Sequence, residues 1–267
     1  MPSNYNAQNA AAYERSMGRW SRRLAPAMVA FAGLTDAARV LDVGCGTGSL
    51  IFELARNPGF TQLAGIDAAG VYIAAARKAN TDPRIDLQQG DGCALPYADA
   101  SFDAALSQLV LQFVPQPEAM LAEMRRVVKP GGVVAAAVWN SGGGMPHQRM
   151  FWDIAAMLDR DGAIERARSF NRKMTRKGDL PDAFAQCGLR GIEESSATIW
   201  MDFTDFADFW GPIAGGEGTL GKYAASLPED QRRHLESALR EAYESGGGDG
   251  PRHFACTAFL CRGTVAG

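Results

Sequence analysis

The sequence predicts an α/β protein: a doubly wound, mostly parallel seven-stranded sheet with a helical cap inserted between its last two strands. Three observations carry that expectation. From Arg39 to Trp139 short apolar runs alternate with helical segments, a rhythm that implies right-handed crossovers and parallel pairing. A glycine-rich turn, Gly44-Cys-Gly-Thr-Gly48, lies between the first apolar run and the first helical segment of that series. The last two strand-like runs are separated by Asp202–Pro251, about fifty residues, which is too long for a plain connection and must hold structure of its own.

Taken in order, Asn9–Phe31 places Trp20, Leu24, Met28 and Phe31 on one helical face and predicts one or two leading helices. Arg39–Val43 is a short apolar strand, and Leu50–Arg56 after the glycines has helical composition. Gln62–Asp67 repeats the strand pattern before an alanine-rich helix, Ala69–Asn80. Ile85–Gln89 and Phe102–Ser107 are the third and fourth strands, with a turn-rich loop between them. A helix over Ala119–Val128 is expected to stop at Lys129-Pro-Gly-Gly132, and Val133–Trp139 is the fifth strand.

Past the flexible joint Asn140–Gly144, His147–Asp159 and Pro181–Cys187 read as helices, and Ile192–Met201 and His253–Arg262 as strands. In the intervening segment Ser226-Leu-Pro-Glu229 has a capping-box pattern, followed by Leu235, Leu239 and Tyr243 at helical spacing up to Gly246–Gly248. The expected division is an N-terminal helical segment over 1–38, a core over 39–201 and 252–263, and the cap over 202–251.

Composition narrows the function classes. With 46% hydrophobic and 21% charged residues the chain is neither disordered nor fibrous. A formal charge of −3 without a basic run argues against nucleic acid as a partner. Five cysteines without CxxC pairs read as reduced thiols, and three histidines without HxxxH spacing argue against a metal site. The opening residues lack a signal-peptide pattern, and no apolar run reaches the ~20 residues of a membrane span. A cytoplasmic protein is expected.

Chemistry concentrates at the glycine turn, where missing Cβ atoms let backbone N–H groups approach a ligand. The spacing is GxGxG (Gly44, Gly46, Gly48), not the GxGxxG of the nicotinamide fingerprint. Asp67 closes the second strand about 20 residues later, where an acid meets ribose hydroxyls in doubly wound folds. Asp42, just before the first glycine, would repel a pyrophosphate but could hold an ammonium group. An adenosine with a cationic tail and no phosphate fits these charges.

Five motifs stand in one order: Val40-Leu-Asp-Val-Gly-Cys-Gly-Thr-Gly48, Gly65-Ile-Asp67, Gly90-Asp-Gly-Cys-Ala-Leu-Pro96, Ser101-Phe-Asp103 and Lys129-Pro-Gly-Gly132. With them the chain resembles the class I S-adenosylmethionine-dependent methyltransferases, in particular the small-molecule branch that includes the quinone-biosynthesis C-methyltransferases. The resemblance implies a Rossmann-like fold and S-adenosylmethionine as cofactor. It places Asp42 and the Gly44-Cys45-Gly46 backbone at the methionine moiety, Asp67 on the ribose diol and Ala68 beside the adenine. Asp91 would accept the adenine amino group, the backbone at Gly92 and Cys93 would read the ring edge, and Ser107, Gln108 and Leu109 would line the sulfonium end. The family commonly has Ala or an acid where Gly92 and Cys93 stand, which suits backbone contact at Cys93.

His147 follows the joint after the fifth strand and is the candidate general base, while His234 reads as a residue on the wet face of the cap helix and His253 opens the last strand. Phe151, Trp152, Phe203, Phe206, Phe209 and Trp210 have the spacing of core or cap packing, or of a pocket floor. Tyr13 and Trp20 would fasten the leading helix to the core or cover the cofactor. The expected acceptor is a small, partly apolar molecule; the sequence leaves oligomeric state open. A non-catalytic S-adenosylmethionine-binding protein and a nicotinamide-dependent oxidoreductase are the competing readings, the second disfavoured by the glycine spacing and Asp42.

Overall fold

The structure is a computed structural model that describes residues 9–36, 38–245 and 247–267. The expected leading segment over 1–38 and the helix end at Gly246 therefore lie partly outside the described residues.

Asn9 caps the leading helix by accepting from the Ala12 amide, and α1 (Ala10–Tyr13) runs through a π-helical turn, Glu14–Gly18, into α2 (Arg19–Ala32). Gly33, at φ 63°, ends α2 in the left-handed conformation that suits glycine. The π turn widens the helix locally and is a feature that often marks functional positions.

The next units are β1 (Arg39–Val43), α3 (Ser49–Leu54), β2 (Gln62–Asp67), α4 (Gly70–Ala79), β3 (Ile85–Gln89), β4 (Phe102–Gln108), α5 (Pro117–Val127) and β5 (Val128–Trp139). They are followed by α6 (Pro146–Leu158), α7 (Arg160–Phe170), α8 (Asp179–Gln186) and β6 (Arg190–Phe203). Three helices, α9 (Phe206–Ala214), α10 (Gly218–Ser226) and α11 (Glu229–Glu244), precede β7 (Arg252–Thr264).

The seven strands form one sheet in the order β3-β2-β1-β4-β5-β7-β6. β1 to β5 pair in parallel, and β7 runs antiparallel to both of its neighbours. Alternate residues of the central strands serve opposite faces: Val40 joins one apolar layer with Trp20, Leu24 and Met28, whereas Leu41 and Val43 join the other with Leu121 and Phe184. Burial on both faces explains why these strands read as continuous apolar runs.

Three local expectations are corrected. α5 ends at Val127, where the stop was expected, but Lys129-Pro-Gly-Gly132 is part of β5, which therefore starts at Val128 and not at Val133. The reason is pairing with the far C-terminus, since the Gly131 amide donates to the Val265 carbonyl and the Val265 amide to the Gly132 carbonyl. The capping box at Ser226 does not form: the Ser226 hydroxyl donates to the Tyr223 carbonyl, and Pro228 takes the cap position of α11. Helix α7 was not anticipated; Asp159 caps it by accepting from the Gly162 amide.

The helices between β6 and β7 are tied to the rest by aromatic packing. The Tyr243 ring lies 5.7 Å from Phe206 and 5.6 Å from Phe209, and Phe209 lies 5.5 Å from Phe203 at the end of β6. α11 also lies against α6. These helices follow the end of β6 and precede the start of β7, on the side where β4 and β5 also end and where an open sheet keeps its ligand crevice.

Candidate functional site

The glycine turn is held from beneath by β2. The Gly44 and Cys45 amides both donate to the Ile66 carbonyl, at 2.7 and 3.1 Å. Asp67 extends the tie: one carboxylate oxygen accepts from the Gly46 amide at 2.9 Å and the other from the Ala69 amide at 2.8 Å. Two positions in the turn require glycine for different reasons. A Cβ on Gly44 would stand 2.4 Å from a Val110 methyl carbon, so the chain after β4 closes against the turn there. Gly46, at φ 54°, would meet nothing within 4 Å and leaves open space at the cavity wall.

Asp42 lies under this turn, 1% exposed, and neither of its carboxylate oxygens has a hydrogen-bond partner. Burial first, and the Asp67 charge second, push its pKa up to about 8, while the Ile51 amide opposes the shift. Asp67 is pushed up as well, chiefly by burial, against the pull of the Ala69 and Gly46 amides. Two carboxyls thus share a desolvated corner, an arrangement that favours a cation nearby and disfavours an added anion. At the next loop the Asp91 carboxylate accepts from the Cys93 amide at 2.8 Å, which holds its pKa below the usual carboxylate range.

A cavity of about 420 Å³ opens above the turn and extends to α9 and α10. Of the residues expected to bind the cofactor, Gly44, Gly46, Asp67, Ala68, Asp91, Gly92, Cys93, Gln108 and Leu109 line it. Asp42, Cys45 and Ser107 stand behind its wall, all buried. Gln108 is turned toward α2, where its amide nitrogen donates to the Ser21 carbonyl and hydroxyl at 2.9 Å each; its oxygen has no partner. Leu109 adopts φ 64°, a strained conformation for a leucine, fixed by its amide donating to the Ala137 carbonyl at 2.7 Å.

His147 also lines the cavity. Its Nδ1 stands 3.5 Å from the Cys256 sulfur, and burial pushes its pKa down to about 4. It is therefore neutral at physiological pH. His234 is exposed, and His253 pairs with Asp202 at 2.7 Å on the sheet edge. Tyr13 and Trp20 both face the cavity, as do Phe203 and Phe209; Phe151, Trp152, Phe206 and Trp210 are core instead.

Several wall residues had no signature in the sequence: Arg19, Gln112, Phe113, Trp139 and Arg172. The Arg19 guanidinium lies 4.2 Å from the Trp20 ring centre and pairs with Asp208, while two of its nitrogens are buried without a partner. These side chains arrive from the leading helix, the segment after β4, the end of β5 and the loop after α7, so only the tertiary structure brings them together. Among the described residues, no cluster of His, Cys, Asp or Glu is arranged to hold a metal ion. None of their helices is long and apolar enough to cross a membrane.

The strand order, the glycine turn after β1 and the acid at the end of β2 define a Rossmann-like methyltransferase fold. Residues 41–136 match the family described as methyltransferase domain. The demethylmenaquinone methyltransferase of Renibacterium salmoninarum is 40% identical over 128 residues, 47% of this chain and 51% of that protein. The chain spans about half the length of the curated relatives it matches.

Among solved structures, phosphoethanolamine N-methyltransferase 2 of Haemonchus contortus, in complex with S-adenosyl-L-methionine, aligns with a TM-score of 0.58. That alignment has 18% identity and covers 96% of this chain and 56% of that one. The [4+2]-cyclase SpnF aligns with a TM-score of 0.56 and 22% identity over 100% and 89% of the two chains. Both likenesses concern the fold.

Proposed function

We propose that this protein transfers a methyl group from S-adenosylmethionine to a small, partly apolar acceptor. One observation supports this above the others: the Asp42–Asp67 pair at the glycine turn lies in a desolvated corner that suits a ligand with an adenosine and a cationic amino acid tail, and opposes a pyrophosphate.

Each carboxylate oxygen of Asp67 receives one amide, which leaves lone pairs for a ribose diol. Ala68 and the backbone at Gly92 and Cys93 flank the adenine, and Asp91 accepts from its amino group. The Gly44–Gly46 backbone passes the methionine moiety, with Asp42 behind it supplying the field for its ammonium. Ser107, Gln108 and Leu109 shape the sulfonium end. The bound cofactor supplies an electrophilic methyl group. The protein aligns the acceptor with it in line and excludes water, so few side chains need to do chemistry. A neutral His147 with its pKa near 4 is a poor base at neutral pH, which gives it the role of a hydrogen-bonding group and favours an acceptor that is nucleophilic without deprotonation by it.

The test is to follow labelled methyl from S-adenosylmethionine into a panel of small aromatic and prenylated acceptors, with Asp67→Ala as the control. Label appearing in an acceptor only with the wild-type protein supports the reading. Cofactor binding without any transfer across the panel would move the protein to the non-catalytic reading.

A further inference from the structure

The cavity divides along the sheet. Asp67 ends β2 and Asp91 follows β3 at one side, whereas Phe113 follows β4 and Arg172 comes from the connection between β5 and β6 at the other. On this second side the aromatic residues Trp139, Phe203 and Phe209 line the wall together with the uncharged Gln112, Ser141, Gln148 and Ser169. A cation set into such a wall needs a reason, because burying charge without a partner costs free energy.

Arg172 is that cation. Its guanidinium lies 4.7 Å from the Phe113 ring centre, facing the cavity, and none of the described residues gives it an ion pair or a hydrogen-bond acceptor. Burial pushes its pKa down, with only the Glu165 charge opposing. Glu165 is itself paired with Arg168. The other wall arginine, Arg19, pairs with Asp208 through one nitrogen, and its two unpartnered nitrogens are buried out of reach of the cavity. Among the described wall residues, the planar fork of Arg172 is thus the guanidinium without a carboxylate, and such a fork matches a carboxylate with two parallel hydrogen bonds. A dianion is less suitable, since Asp67, Asp91 and Glu217 line the same cavity.

We propose that the acceptor is a small apolar or aromatic carboxylate, seated with its anionic end on the Arg172 guanidinium. This rests on the methyl-transfer reading of the cavity and names the acceptor class. The methionine carboxylate of the cofactor is the rival occupant. Against it stands the position of Arg172 beside Phe113, across the cavity from the residues assigned to the adenosine.

The experiment uses the full chain saturated with S-adenosylhomocysteine and matched pairs of acid and primary amide: benzoate and benzamide, phenylacetate and phenylacetamide, 4-hydroxybenzoate and 4-hydroxybenzamide, octanoate and octanamide. Affinities are read by calorimetry for wild type, Arg172→Met and Arg172→Lys, with thermal unfolding as the check on folding. At least one acid is expected to bind tenfold or more tightly than its amide. Arg172→Met should erase that preference, Arg172→Lys should retain part of it, and affinity for S-adenosylhomocysteine should be unchanged in both. No acid outbinding its amide overturns the proposal, as does a preference that survives in Arg172→Met. Loss of S-adenosylhomocysteine affinity in Arg172→Met overturns it too, by assigning the arginine to the cofactor. If wild type fails to bind S-adenosylhomocysteine at all, the failure belongs to the methyl-transfer reading instead.

Discussion

Asp67 and Gly46 are joined by a 2.9 Å hydrogen bond from the glycine amide to the carboxylate, and this bond fixes the glycine turn to the end of β2. The same carboxylate is thus both a clamp on the turn and an acceptor facing the cavity. Asp67→Ala is expected to weaken S-adenosylhomocysteine binding by about 1.5–3 kcal/mol, the value of a hydrogen bond to a charged group. Because two amides also lose their acceptor, a lowered melting temperature should accompany the loss. Affinity that survives while the protein unfolds would leave Asp67 with the clamp alone.

Gly46→Ala separates shape from folding. The new methyl meets no atom within 4 Å, so its structural cost is the left-handed backbone, about 1–2 kcal/mol. The variant is expected to fold and to lose cofactor affinity, because the methyl projects where the ligand passes. Calorimetry on the folded variant checks this, and unchanged affinity would remove Gly46 from the binding surface.

Asp42 and His147 give stability opposite slopes with pH. The Asp42 pKa is raised from 3.8 unfolded to about 8 folded, so its contribution is fully present below about 4 and is lost as pH rises toward 8. The His147 pKa is lowered from 6.5 to about 4, so its contribution is present above 6.5 and is lost as pH falls toward 4. The two slopes oppose each other between about 4 and 6.5, and above 6.5 that of Asp42 stands alone. Denaturant unfolding across this range should show Asp42→Asn flattening the decline between 6.5 and 8. His147→Gln should steepen the decline below 6.5. Parallel curves for wild type and both variants would contradict the assignment.

His147 is expected to leave no break near pH 6.5 in the rate of methyl transfer. His147→Gln should reduce that rate by less than tenfold, as removal of a hydrogen bond does. A break near 6.5 that disappears in the variant would make His147 the general base.

Much of this was legible in the sequence because local chemistry dictates it. β1 and β2 are mainly apolar runs that end at Gly44 and Asp67, β3 sets Ile85 and Leu87 on one face before Gly90, and all three fall on the expected residues. The glycine turn and Asp67 were visible for the same reason. What the sequence hid is what distant segments decide. Lys129-Pro-Gly-Gly132 carries the signs of a helix stop and α5 does stop there, but its pairing with Val265 as part of β5 has no local signal. Ser226 has a capping pattern, but its hydroxyl turns back to Tyr223. Arg19, Trp139 and Arg172 have no shared spacing and meet only in the cavity wall.

The desolvated pair Asp42 and Asp67 is read as a site for an adenosine compound that carries an ammonium group and no phosphate. Calorimetric titration of the full chain at pH 7 with S-adenosylhomocysteine, in two buffers of different ionisation enthalpy, tests this most directly, with NAD titrated alongside. Asp42 is protonated in the free protein below about pH 8, and an ammonium group nearby favours its ionisation. Saturable binding accompanied by proton release is expected, with no release in Asp42→Asn and no saturable heat with NAD. Saturable NAD binding without S-adenosylhomocysteine binding would contradict this reading.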